Sequence, residues 1–406
     1  MKIIVVGGNC ANKGAQALLF ITMCELRKQY PEAELYFDSQ EKFIDDGTYC
    51  FKHVDRRALR NALAIKAGKG GKDRMIKDAV WAVRDKRWYA VLAEPGYMKL
   101  LSDVKLIIDI SGYNLASKFS NAHNELFLDI IEYAMDCGIK TVIMPQSFGP
   151  FDYKQDAERI TKRIADVLSR SELVYAREPG GIEALNGIGF NKAKLSDDLV
   201  IQSRDFELSA ITKKKQEIYD IEDIPGDSIA VIPNEKIFVN SSNREGLYTV
   251  YEDIIKKGLA LNNKVYLIYH SVEDLAICKR IKESFCEDDR VVIIEKELAF
   301  YEYEALVKNF KYIIASRYHS IILAYRQCVP GIGIGWAEKY DYLFARCGQE
   351  KYVHGVNDVS LRDKVIEDME ALENCHTQAS GIIKEKLENI QKKNCFDELF
   401  GIIENL

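Results

Sequence analysis

The amino-acid sequence predicts an α/β protein built from two facing, doubly wound domains. Three observations point there. Short apolar runs alternate with helix-length segments, which is how parallel strands covered on both faces read. The alternation runs twice, interrupted at residues 201–225 by a charged stretch, QSRDFELSAITKKKQEIYDIEDIPG, that ends in Pro-Gly. The chain's 406 residues also exceed the roughly 250 to 300 at which a single hydrophobic core stops growing.

Residues 2–6 are a β-branched strand that meets Gly7-Gly8, and residues 15–26 carry apolar positions at helical spacing, so the chain opens on a βαβ unit. Further strands are predicted at 35–37, 104–108, 141–144 and 173–175, with helices over 125–137 and 157–168 between them. Together they define a first domain over 1–205. The pattern restarts with strands at 228–232, 264–268, 290–293, 312–315 and 331–334, giving a second domain over 226–360. Residues 361–406 read as helices packing on either domain. Two such domains place their carboxyl strand ends across a cleft, where open α/β sheets bind ligands.

The bulk composition excludes several classes. A chain 47% hydrophobic and 29% charged is globular rather than disordered, and a net charge of -6 argues against steering toward nucleic acid. Ten cysteines contain no CxxC, so neither a disulfide framework nor a zinc site is expected. No run approaches 18 apolar residues, and MKIIVVGG lacks the length of a signal peptide, so a reduced, cytoplasmic protein is expected. Residues 59–90 stand apart, with nine Lys/Arg against three Asp plus Trp81, Trp88 and Tyr89. They read either as a peripheral contact on an anionic membrane or as a helix pair with its tryptophans in the core.

Candidate site residues cluster at strand ends. GGNCANKGAQA (7–17) matches neither GxGxxG nor a P-loop, yet Gly7, Gly8 and Gly14 allow close backbone approach. Asn12 either caps the following helix or touches substrate. In VIMPQSFGPF (142–151), Gln146 and Ser147 are either parts of a rigid turn or neutral hydrogen-bonders to substrate. Arg177, in VYAREPGG, suits an anion beside a helix terminus or a pairing with Glu178. Asp197 and Asp198 read as turn or capping carboxylates in preference to a metal site.

The stretch SRYHSIILAYRQCVPGIGIGWAEKY (316–340) follows an apolar strand and carries Arg317 in a loop and His319 in the first helical turn. The next strand delivers Trp336 and Lys339 to the same rim. Three basic side chains at adjacent strand ends suit a small, doubly anionic ligand, and only His319 has an ordinary pKa that permits proton transfer near pH 7.

Taken together, GGNCANKGAQA, PQSFGPF, AREPGG, the DD before Leu199 and SRYHSIILAYRQCVPGIGIGWAEK resemble the polysaccharide pyruvyl transferase family over residues 2–348. The resemblance implies a glycosyltransferase-B-like arrangement and transfer of a pyruvyl group from phosphoenolpyruvate to a sugar of a cell-surface polysaccharide or its lipid-linked precursor, forming a ketal. It implies His319 as general acid, with Arg177, Arg317 and Lys339 on the donor; the strand-end reading adds Asn12, Gly14, Gln146 and Ser147 as candidate substrate contacts. The first domain would then hold the acceptor and the second the phosphoenolpyruvate, at the inner face of the membrane if the acceptor is lipid-linked. No cofactor beyond the co-substrate and no metal is expected. Many relatives carry an acid after the glycine, as in GNxGD, where this chain has Gly14-Ala15. The rival readings are a nucleotide-sugar glycosyltransferase and a non-catalytic binder of glycan or lipid phosphate.

Overall fold

The computed structural model describes residues 1–10, 12–39, 47–69, 94–213 and 224–406. Among these, eight strands form a first sheet: β1 Lys2–Val6, β2 Glu34–Ser39, β3 Lys52–Asp55, β4 Val104–Asp109, β5 Tyr113–Leu115, β6 Lys140–Phe148, β7 Leu173–Ala176 and β8 Lys194–Leu195. They run in the order β3-β2-β1-β4-β6-β7-β8, with β5 paired to β6, and every pairing is parallel. Six more form a second parallel sheet: β9 Ser228–Ile232, β10 Lys264–Ile268, β11 Val291–Ile294, β12 Ile313–Ala315, β13 Gly331–Gly335 and β14 Val353–Gly355, in the order β11-β10-β9-β12-β13-β14.

In each sheet the strand order reverses once, between β1 and β4 and between β9 and β12. Loops leaving the carboxyl ends of such a pair diverge to opposite faces and open a crevice. The strands bracketing these crevices are buried along their length, as in Ile3 to Val6, Leu106 to Ile108, Ile229 to Ile232 and Ile313 to Ala315. Their apolar character on both faces made them legible in the sequence.

The helix Lys13–Gln29 starts where Asn12 accepts hydrogen bonds from the Gly14 and Ala15 amides, at 2.9 and 3.2 Å, so Asn12 is the cap. The helix Tyr318–Arg326 begins directly after Arg317, and its Tyr318 and residues 320–325 are all buried. The tail divides between the domains. The helix Leu361–Ile390 packs on the helix Arg244–Ala260 of the second domain. The helix Cys395–Ile403 returns to the first, where the Cys395 amide donates to Gln202 Oε1 at 2.8 Å and Tyr30 donates to the Phe400 carbonyl at 3.2 Å.

Four strands fall outside the sequence expectation: β5, which pairs with β6, and β3, β8 and β14, which are short and carry polar residues, as KHVD, KL and VHG show. The last three sit toward the sheet margins, where burial on both faces is not required. The connecting stretch 201–225 holds the short helix Leu208–Ile211, and Thr212 bridges to Tyr49. Most of the basic segment 59–90 lies outside the described residues. Its opening belongs to the helix Arg56–Lys66, whose Leu59, Ala62 and Leu63 are buried in the first domain, so that part packs in the core rather than on a membrane. Among the described residues no helix is long and apolar enough to cross a membrane.

Candidate active site

The carboxyl ends of the two sheets face one cleft of about 1020 Å³. First-domain residues reach it from four places: Asn12 and Ala15 after β1, Ser111 to Tyr113 after β4, Lys118 after β5, and Arg177 after β7. The second domain supplies Lys236 after β9, His319 after β12, and Trp336 to Lys339 after β13.

At the base of the cleft the domains touch through polar contacts. Lys13 Nζ donates to the His270 carbonyl at 2.9 Å, and Asn12 Nδ2 donates to Ser271 Oγ at 2.8 Å. The Gly14 amide donates to His270 Nε2 at 3.1 Å, so the His270 proton resides on Nδ1, 2.9 Å from Ser320 Oγ. Burial, then the Arg317 and Lys13 charges, hold His270 well below the usual histidine range and keep it neutral. Gly14 has a further requirement. A Cβ there would lie 2.3 Å from His319 Nδ1, so only glycine leaves room for the imidazole.

His319 is 16% exposed, and its Nε2 has no hydrogen-bond partner; the nearest charge is Asp198 Oδ2 at 3.8 Å. Burial pushes its pKa down to about 4, Asp198 opposes this, and the Arg177 and Lys339 charges push it further down. Arg177 is 2% exposed, donates from Nη1 to Asp198 at 2.8 Å and from Nε to Ser147 Oγ at 3.0 Å, and stacks 4.8 Å from the Tyr318 ring centroid.

Three lysines complete the cationic lining, and among the described residues none has a carboxylate partner. Lys339 Nζ lies 4.9 Å from the Tyr318 ring and 5.2 Å from Trp336, while Lys118 lies 4.9 Å from Trp336 and also covers Tyr113. Aromatic faces hold an ammonium without consuming its N–H donors. Burial, then Arg177 and Lys118, hold Lys339 well below the usual lysine value. Lys118 falls to about 8 from burial and from the Lys236 and Arg177 charges. Cations that suppress one another in this way are relieved by an anion.

A family model for polysaccharide pyruvyl transferase matches residues 12–338. The chain belongs to the polysaccharide pyruvyl transferase family. A search of curated protein sequences finds no match. Among solved structures, the chain is similar to a putative UDP-N-acetylglucosamine 2-epimerase from Listeria monocytogenes, at 8% identity and a TM-score of 0.55, covering 94% of this chain and 90% of that one. It is also similar to the Methanocaldococcus jannaschii UDP-GlcNAc 2-epimerase in complex with UDP-GlcNAc and UDP, at 14% identity and a TM-score of 0.52, covering 92% and 93%. At such identities the likeness concerns the fold, which is the two-domain, glycosyltransferase-B-like arrangement.

Of the side chains that sequence reasoning assigned to this family member's site, His319, Arg177, Lys339 and Asn12 line the cleft. Four do not. Arg317 is spent on carboxylates: Nε and Nη2 grip Asp274 at 2.8 and 2.5 Å and Nη2 also meets Glu273 at 2.9 Å, locking the helix start to the loop after β10. Gln146 is fully buried and donates to Asp109 at 2.8 Å. Ser147 accepts from Arg177 and so orients the guanidinium from behind. Gly14 serves the imidazole's fit. Asp197 and Asp198 act in ion pairs and capping: Asp197 takes both Arg346 bonds at 2.7 Å, and Asp198 caps Val200. Among the described residues no three metal-ligating side chains cluster.

Sequence reasoning missed Lys118, Lys236 and Ser111. Ser111 and Lys236 follow strands that were correctly placed, β4 and β9, and the strand-end rule used for the other loops would have found them. Lys118 follows β5, a strand that the sequence reading did not place.

Proposed function

We propose that this chain transfers the pyruvyl group of phosphoenolpyruvate to paired hydroxyls of a sugar in a cell-surface polysaccharide or its lipid-linked precursor, closing a ketal. One observation carries the reading: Arg177, paired with Asp198, and three lysines without carboxylate partners among the described residues line the same cleft as His319, whose Nε2 has no hydrogen-bond partner. Phosphoenolpyruvate puts a carboxylate, a phosphate and a carbon that must be protonated into one small molecule. Family membership supports the pyruvyl chemistry.

In this reading Arg177, Lys339, Lys118 and Lys236 hold the donor's two anionic groups. His319 gives a proton to the methylene carbon, leaving an oxocarbenium-like centre at the neighbouring carbon. One sugar hydroxyl adds there, and a second displaces phosphate, whose charge the lysines stabilise as it leaves. The donor is held from both sides of the cleft, by Arg177 and Lys118 of the first domain and Lys339 and Lys236 of the second, and the acceptor lies against the loops after β1 and β4. No cofactor enters the scheme.

The test is thermal-shift binding with phosphoenolpyruvate, UDP-sugars and CMP-sugars, followed by phosphate release with sugar acceptors. Stabilisation by phosphoenolpyruvate and not by nucleotide-sugars is the expected outcome. Selective stabilisation by a nucleotide-sugar would establish the glycosyltransferase reading instead.

A further inference from the structure

Pyruvyl transfer must remove a proton from the attacking hydroxyl, and Ala15, which lines the cleft after β1, has no group to take it. We propose that Ser111 takes that proton as the catalytic residue touching the acceptor hydroxyl, with Asp109 as the positioning residue that receives the Ser111 proton behind it. The inference rests on the pyruvyl-transfer reading of the same cleft.

Asp109 is the last residue of β4, opposite Val6 of β1, at the point where the strand order reverses. It is fully buried. Ser111 donates its hydroxyl hydrogen to Asp109 Oδ1 at 2.5 Å, while Gln146 Nε2 donates to the other carboxyl oxygen at 2.8 Å. Ser111 Oγ also accepts a long bond from Asn114 Nδ2 at 3.3 Å. A hydroxyl oxygen has two lone pairs, so one remains on a residue that lines the cleft.

The loop is built to approach both neighbours. Gly7, at φ +90, has no room for a side chain, since a Cβ would lie 2.2 Å from Ser111 Oγ. A Cβ on Gly112 would lie 3.6 Å from Arg177 Nη1, and the Tyr113 ring lies 5.8 Å from Lys339 Nζ. The two residues that follow Ser111 thus reach Arg177 and Lys339, and the side chains of Ser111, Arg177 and Lys339 all line the same cleft.

Behind the pair, a cavity of about 10 Å³ is lined by Asp38, Arg56, Asp109, Ser111 and His123, roughly the space of one water. Asp38 is neutralised by Arg56 through bonds of 2.7 and 3.0 Å. Among the described residues, Asp38, Arg56 and His123 are the charged and titratable side chains that share this cavity with Asp109 and Ser111. Burial raises its carboxyl to about 7; the Ser111 bond and Arg56 oppose the rise, and Asp38 adds to it.

The step balances. His319 protonates the methylene carbon with the double-bond electron pair, and the sugar oxygen bonds to the adjacent carbon. The sugar proton passes to Ser111 Oγ as the Ser111 proton passes to Asp109. The second hydroxyl's proton leaves with phosphate.

Phosphoenolpyruvate affinity and acceptor-dependent phosphate release are compared across pH for the wild type, S111A and D109N. Both variants are expected to bind phosphoenolpyruvate as the wild type does and to lose about 100-fold or more in turnover. The acid-side limb of the wild-type rate profile, near pH 7, is expected to vanish in D109N. S111A removes one hydroxyl from a partly exposed loop residue, so it decides the matter even if D109N does not fold. Wild-type rate in S111A, or an unchanged acid limb in D109N, overturns the relay. A wild type that releases no phosphate with any acceptor overturns pyruvyl transfer itself, which is a separate result.

Discussion

Binding of phosphoenolpyruvate should draw a proton onto His319. In the free protein its pKa of about 4 leaves roughly one molecule in a thousand protonated at pH 7, too few for a general acid. Burial is the first cause, and the Arg177 and Lys339 charges add to it. An anionic charge about 5 Å away, at an effective dielectric of about 20, contributes about 3 kcal/mol, or about 2 pKa units. Two anionic groups therefore carry His319 to about 7 or above. Titration calorimetry at pH 7, in buffers of different ionisation enthalpy, counts the protons taken up. Because the ligand's own ionisation is common to both proteins, the wild type is expected to exceed H319Q by about half a proton or more. Equal uptake in the two would refute the reasoning and remove His319 as the acid.

Other perturbations separate cleft residues from supports. K339A is expected to weaken phosphoenolpyruvate binding by about 1.5 to 3 kcal/mol, the range for a charged hydrogen bond, with little change in melting temperature. R317A should do the reverse: it strands the fully buried Asp274, so denaturant titration should show a loss of about 3 to 5 kcal/mol with donor affinity retained in the folded protein. G14A forces a methyl against the His319 ring and is expected to cost about 1 to 3 kcal/mol. Adding H319A should recover much of that loss in a double-mutant cycle. Asp109 should make stability pH-dependent. Its folded pKa of about 7 lies above the ordinary aspartate value of 3.8, so between those values only the folded state holds the proton and stability falls as pH rises. D109N should therefore gain on the wild type across that window, by at most about 4 kcal/mol, with the difference flat above pH 7.

The fold was legible because both sheets are parallel and covered on two faces, so β1, β4, β9 and β12 read as continuous apolar runs. Strands such as β3 and β14 lack that signature, and nothing in KHVD or VHG announces a strand. In the site, His319 and Lys339 were legible because each follows a strand by a few residues. Arg317 follows the same rule and misled, since its partners Glu273 and Asp274 come from the loop after β10, some forty residues earlier. Gly14 was read as a contact for substrate, and its actual neighbour is an imidazole 305 positions away from it in the other domain. Motif spacing reports which loop a residue occupies; it is silent on which charges from distant segments meet it there.

The most direct test of the central claim is mass spectrometry of sugar acceptors bearing free hydroxyl pairs after incubation with the protein and phosphoenolpyruvate. The expected result is an acceptor that carries a pyruvyl ketal, formed with one phosphate released per ketal and abolished by H319Q. An acceptor that stays unmodified with phosphoenolpyruvate but gains a sugar from a nucleotide-sugar would contradict the account.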